Sequence, residues 1–168
     1  GAVLQREKPV KVWGTFEPFS KIKLSLEDSV AEVITDQDGN FKATLKAPKY
    51  GFNKQLIFKN ESGETLKSIN VSVGDVWILS GQSNMDFMLK YDQNYQQDAD
   101  KVTSVLRDGP AISFFEVPRR ILPNGEFDQS TNPEEWHILT KENAKLFSAI
   151  GYYFGWELRD YSPDIPIG

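Results

Sequence analysis

The segment Val73-Gly74-Asp75-Val76-Trp77-Ile78-Leu79-Ser80-Gly81-Gln82-Ser83-Asn84-Met85 divides the 168-residue chain into two parts with different rhythms. Its central run, residues 76–79, is apolar without interruption, as in strands covered on both faces by a parallel sheet's helices. A Ser-Gly-Gln-Ser turn follows at once. The sequence therefore predicts Ser83 at the carboxyl edge of a parallel strand, where α/β proteins build their sites.

Upstream of this segment the pattern is short alternating runs separated by turn residues. In Lys21-Ile22-Lys23-Leu24-Ser25-Leu26 the three aliphatic side chains share one face, the mark of a half-buried strand. Residues 29–35 and 41–45 flank Asp36-Gln37-Asp38-Gly39-Asn40, whose Asp and Gly residues tolerate positive φ and suit a hairpin. A second pair, 55–59 and 65–73, flanks Asn60-Glu61-Ser62-Gly63, and Val10-Lys11-Val12-Trp13 supplies a further strand. About six short strands with no helical period predict a β-sandwich over residues 1–73.

Downstream, Ala99, Val102 and Leu106 fall on one helical stripe between Gln96 and Arg107, and Asp108-Gly109-Pro110 ends it before the apolar run Ala111-Ile112-Ser113-Phe114-Phe115-Glu116-Val117. A second helix is predicted over 144–159, with Phe147, Ile150, Phe154 and Leu158 on one face and Asn143 as cap. Gly151 and Gly155, four apart, suit close packing of that helix. Ile165-Pro166-Ile167-Gly168 reads as the start of another strand, and residues 118–135 as a loop. Residues 74–168 are thus expected to be the truncated N-terminal part of an α/β/α domain, completed by the remainder of the polypeptide or by another chain.

Composition narrows the function classes. Nineteen Lys and Arg against 24 Asp and Glu give a formal charge of -5, and no basic cluster interleaves with aromatics, so nucleic acid is not an expected partner. Zero Cys excludes disulfides, thiolate catalysis and Cys-ligated zinc, and a single His, His137, excludes a His-rich metal site within the chain. No apolar run is long enough for a membrane span, and no leader segment is visible at the start.

Chemistry concentrates at the Ser turn. Gly81 allows a sharp bend and close approach of a ligand, and a Ser on such a turn presents its hydroxyl and its own N–H to one carbonyl. The first three positions match the Gly-x-Ser-x-Gly nucleophile elbow, whereas Met85 replaces its last Gly. On these grounds Ser83 is either a nucleophile or the cap of a following helix. His137 is a possible base by chemistry alone, although Trp136, Ile138 and Leu139 suggest a polar-face residue on a strand edge. Asp75 immediately precedes the apolar run, a strand length from Ser83, and reads as a turn residue; Asp86 either supports the Ser turn or stabilises a helix dipole. Trp13 invites comparison with sugar-stacking aromatics, against the commoner use of Trp in a core.

The string 73–85 resembles the first signature block of the sialate O-acetylesterases, a branch of the SGNH hydrolase superfamily that is also similar to certain acetylxylan esterases. Val3-Leu4-Gln5-Arg6, Val12-Trp13-Gly14, Asp38-Gly39-Asn40-Phe41, Trp136 and Phe147-Ser148-Ala149-Ile150-Gly151-Tyr152-Tyr153-Phe154 extend the similarity over nearly the whole chain. The resemblance implies an N-terminal β-rich domain before an SGNH-type α/β/α (flavodoxin-like) domain. It implies Ser83 as the acyl-accepting nucleophile, with Gly81, Gln82 and Asn84 supporting its turn. It also implies an O-acetylated sugar as substrate, a secreted or periplasmic setting, and no metal or organic cofactor. The family's Asn-containing block and its Asp-x-x-His block are absent, so Asn84 is not the later oxyanion Asn, and neither Gly151 nor Gly155 is matched to the second-block Gly. The expected function is removal of O-acetyl groups from sugars, sialic acids first and xylan second, through an acetyl-enzyme on Ser83, with little activity from this chain alone. A binding or adhesion module built on the β-rich half is the reading from another class.

Overall fold

A computed structural model describes residues 1–106, 112–117 and 135–168. Two compact units emerge, Val3–Asp75, and Val76–Gly168 together with Gly1–Ala2.

The first unit is built from β1 (Ala2–Gln5), β2 (Val10–Thr15), β3 (Lys21–Leu26), β4 (Ser29–Ile34), β5 (Asn40–Leu45), β6 (Gly51–Asn60) and β7 (Thr65–Gly74). Five strands form a sheet in the order β1-β7-β6-β3-β4, and β2 pairs with β5. The alternation of β3 is realised: Ile22, Leu24 and Leu26 are buried against Ala43, Leu45, Leu56, Val71 and Val73, each aliphatic side chain contributing roughly 1.5–3 kcal/mol by leaving water. β6 and β7 form the antiparallel pair expected across residues 60–63, where Asn60 Oδ1 accepts from Glu64 N (2.9 Å) and Ser62 Oγ (2.7 Å).

The hairpin expected between residues 29–35 and 41–45 does not form. β4 instead pairs with β3, from Lys21↔Ile34 to Leu26↔Ser29, and β5 pairs with β2, from Val10↔Leu45 to Thr15↔Asn40. The connection Glu27-Asp28, with Glu27 at φ +50°, is short enough to fold β4 straight back on β3. The loop 36–40 does turn, but it carries the chain from one sheet to the other. Asp36 Oδ1 accepts from Asp38 N (2.9 Å) and Asn40 N (2.8 Å), and the bond from the Asn40 amide leads in holding its carboxyl below the usual range. Gly39 adopts φ +80°, and a Cβ there would stand 2.2 Å from the Phe16 carbonyl oxygen, so only glycine fits. Buried Thr35 locks the same corner by accepting from Ser20 N (2.8 Å) and donating to Glu17 O (2.6 Å).

A β-sandwich followed by the start of an SGNH-type α/β/α domain is therefore not the architecture. The strands of the first unit make one curled half-barrel sheet with a two-stranded companion, not two stacked sheets of similar size. Six of the seven strands fall where the sequence places them, and β1 is added; the pairing, which turn geometry decides, differs.

The second unit departs further. Residues 76–79 form no strand; Trp77 N donates to Gly168 O (2.9 Å), and Trp77, Ile78 and Leu79 are exposed, Ile78 at 89%. An apolar run becomes a buried strand only where neighbouring strands take up its N–H and C=O groups. Among the described residues the sheet pairing here is antiparallel, β8 (Ser113–Phe115) with β9 (Trp136–Ile138), plus one parallel bridge, Ile112↔Ile167, where the chain was expected to begin a strand.

Helices are few and mostly short: α1 (Ser83–Asp86), α2 (Gln93–Gln97), α3 (Ala99–Thr103), α4 (Lys141–Ala144) and α5 (Ala149–Tyr161). The helix expected over 96–107 is broken because Asp98, at non-helical φ −153° and ψ 81°, turns its side chain to the Lys101 amide (2.9 Å) and starts α3 afresh. Positions 107–111 and 118–134, which include the Asp108-Gly109-Pro110 stop and most of the expected loop, lie outside the described residues. Asn143 does not cap the long helix. It completes a capping box with Thr140 on α4, and Ser148 caps α5.

The buried stripe of α5 is only partly the one expected: Phe147 and Leu158 pack against the core, but the fully buried positions are others. Ala149, Gly151, Tyr152 and Gly155 face inward, while Ile150 and Phe154 are exposed at 44% and 37%. Small residues let the helix backbone come close: a Cβ on Gly151 would lie 2.5 Å from Leu79 Cδ1, and Gly155 faces Ile112. Phe154 packs its edge on Trp77, with ring centroids 5.2 Å apart at 88°. No helix among the described residues is long and apolar enough to cross a membrane.

Candidate active-site turn

Ser83 opens α1. The preceding Gln82 occupies the N-cap position at φ −113° with no side-chain capping bond, and its carbonyl accepts from Met85 N (2.9 Å) and Asp86 N (3.3 Å). Ser83 is thus the first residue of α1 rather than its cap, and its side chain is exposed. Among the described residues the Ser83 hydroxyl makes no hydrogen bond. Its amide and that of Asn84 stand at the first helical positions, where no intrahelical acceptor precedes them.

Gly81 and Asn84 are exposed as well. A Cβ at Gly81 would lie 2.9 Å from Met85 Cγ, so glycine lets the turn fold tightly over the Met85 side chain. The four positions singled out from the sequence therefore form one continuous exposed turn, flanked by the partly exposed side chains of Leu79 and Phe87.

Of the other titratable candidates, Asp86 lies on α1 itself, three residues after Ser83. His137 lies on β9 opposite Phe114, its ring 5.4 Å from that ring at 36°, exposed and without a hydrogen bond among the described residues. As the chain's single His, it leaves Ser83 with no imidazole partner in hydrogen-bond reach. Asp75 belongs to the first unit, where Arg6 Nε donates to Oδ1 (2.8 Å) and Nη2 to Oδ2 (3.2 Å). The bond to this carboxylate raises the Arg6 pKa above its ordinary value. Sequence reading placed both residues in signature strings without seeing that they pair. Asp86 closes α1. No group of three His, Asp or Glu able to hold a metal occurs among the described residues.

An exposed Ser hydroxyl on a glycine-led turn, next to unsatisfied amides, can approach a carbonyl carbon while its own N–H faces the carbonyl oxygen. It lacks a base. The chain is similar in structure to a carbohydrate acetylesterase from Xanthomonas citri over 99% of its length, with a TM-score of 0.79 and 33% sequence identity. It spans 37% of that protein's chain. No family model matches the sequence, and no curated protein matches it.

Proposed function

We propose that this chain belongs to a carbohydrate O-acetylesterase and carries its nucleophile, Ser83. The observation that carries this reading is the likeness to the Xanthomonas citri carbohydrate acetylesterase across the whole chain, together with the exposure of the Ser83 turn. Ser83 Oγ attacks the acetyl carbonyl and gives its proton to a base; the sugar hydroxyl leaves with a proton, and water then releases acetate from the acetyl-serine. The Ser83 amide is the first oxyanion donor, with Gly81, Gln82 and Asn84 holding the turn. With His137 stacked on Phe114, the base and its orienting acid come from the remainder of the polypeptide or from another chain. The resemblance of residues 73–85 to the sialate O-acetylesterase block favours O-acetylated sialic acids over acetylated xylan, and a secreted or periplasmic setting.

The test is Ser83→Ala in the protein that contains the base. It should fold normally and lose roughly a thousandfold or more in kcat/KM on acetylated sugars, because no other group forms the acyl-enzyme. Activity within tenfold of the parent would refute the assignment. The 168-residue chain alone should hydrolyse an aryl acetate no faster than its own Ser83→Ala variant, since general-base help is worth about 100–10,000-fold. A Ser83-dependent rate abolished by His137→Ala would instead place the base within this chain.

A further inference from the structure

The β2–β5 pair turns one face to the core and the other outward. Its outward face holds three cross-strand pairs, Lys11↔Thr44, Trp13↔Lys42 and Thr15↔Asn40, all six residues exposed. Trp13 is 72% exposed, so the core-packing use of this residue does not apply. It stands at the centre of the ladder with Lys42 opposite and Lys11 two positions back on the same face. Neither lysine makes an ion pair or hydrogen bond among the described residues, and no carboxylate is among the six.

An exposed indole on a face that carries two lysines and no carboxylate leaves apolar surface beside positive charge. This combination fits a ligand with a flat apolar face and negative charge at its rim. Pyranose rings have such a face in their axial C–H groups, and uronic or sialic sugars add a carboxylate. Thr15 and Thr44 supply hydroxyl partners for ring hydroxyls, while the Asn40 side-chain amide donates to Asp36 Oδ2 at 3.4 Å.

We infer that the outward face of β2–β5 is a binding surface for a carboxylate-bearing polysaccharide, stacked on Trp13 between Lys11 and Lys42. Choosing a sugar among flat anions rests on the proposed carbohydrate esterase function. The surface holds the polymer and takes no part in ester cleavage.

Calorimetric titration of the 168-residue chain carrying Ser83→Ala, with polygalacturonate, polysialic acid and neutral dextran in parallel, tests this without turnover. Binding of at least one acidic polymer and little binding of dextran is expected. Trp13→Ala should weaken it roughly tenfold or more, as truncation of a central aromatic anchor does. Lys42→Glu, a change at an exposed position, should weaken it likewise, and salt near 1 M, where screening acts within about 3 Å, should remove the preference for the acidic polymer. No binding, equal binding of dextran, binding untouched by both variants, or preference for a single-stranded oligonucleotide would each overturn the inference. Failure of this surface leaves Ser83-dependent hydrolysis intact, whereas failure of the esterase reading leaves polymer binding intact and hydrolysis absent, so the two are told apart.

Discussion

Arg6 and Asp75 close the first unit on itself: a bidentate pair, 2.8 and 3.2 Å, joins the residue just after β1 to the residue just after β7, and Arg6 N also donates to Gly74 O at 2.8 Å. The planar fork of Arg matches a carboxylate as Lys cannot. Arg6→Lys and Asp75→Asn should therefore both lower the thermal midpoint, and the double variant should fall no further than the worse single one. Both effects should shrink at high salt, because the pair is partly exposed. Additive losses in a double-mutant cycle would show that the two side chains do not act together.

Two positive-φ glycines differ in what surrounds them. At Gly39 an added Cβ meets the Phe16 carbonyl oxygen at 2.2 Å, whereas at Gly63 it meets nothing within 4 Å among the described residues. Gly63→Ala should cost about 1 kcal/mol, the left-handed penalty alone. Gly39→Ala adds a backbone clash and should cost at least about 2 kcal/mol more, with the corner of loops 16–20 and 36–40 displaced. Chemical denaturation of the two variants side by side checks the difference.

The helix glycines also separate. A Cβ at Gly155 would touch Ile112 at 3.5 and 3.6 Å, ordinary contact, so Gly155→Ala should stabilise by about 0.5–1 kcal/mol through helix propensity. At Gly151 the same atom would lie 2.5 Å from Leu79 Cδ1 and 3.0 Å from Phe147 Cε1. The exposed Leu79 can swing away, but the Phe147 ring is packed against Phe114, so the gain in propensity should be cancelled or reversed. Equal stabilisation by both substitutions would contradict the packing of α5 described above.

Tyr152 gives a stability signature in alkali. Its hydroxyl donates to Val102 O at 2.6 Å, and burial pushes its pKa from 10.0 up to about 12. The folded state thus holds the proton more tightly than the unfolded chain, so this contribution is complete below pH 10 and is lost as pH rises towards 12. A displacement of that size is worth roughly 3 kcal/mol. Tyr152→Phe should cost about 1 kcal/mol at neutral pH, for the lost hydrogen bond, and should flatten the decline between pH 10 and 12. Denaturant midpoints measured across that range decide it.

Local structure was legible in the residues themselves. The alternation in β3, the turn at 60–63 and the glycine at 39 follow from side-chain period and backbone sterics, which act over a few positions. The Ser83 turn was legible for the same reason, since Gly81 and the break in the apolar run mark it. Partner choice was not legible. The sequence shows that residues 29–35 and 41–45 are extended, but the tight Glu27-Asp28 turn sends one to β3 and the long loop sends the other to β2. Residues 76–79 look buried because they are apolar, yet burial depends on strands beside them, and residues 77–79 lie exposed. In α5 the large side chains marked one face, while the tertiary structure chose the glycine face, because close backbone approach is decided by what lies opposite and not by hydrophobicity along the helix. The pairing of Arg6 with Asp75 is likewise a property of the sheet, in which β1 lies beside β7 and sets two strand ends far apart in sequence side by side.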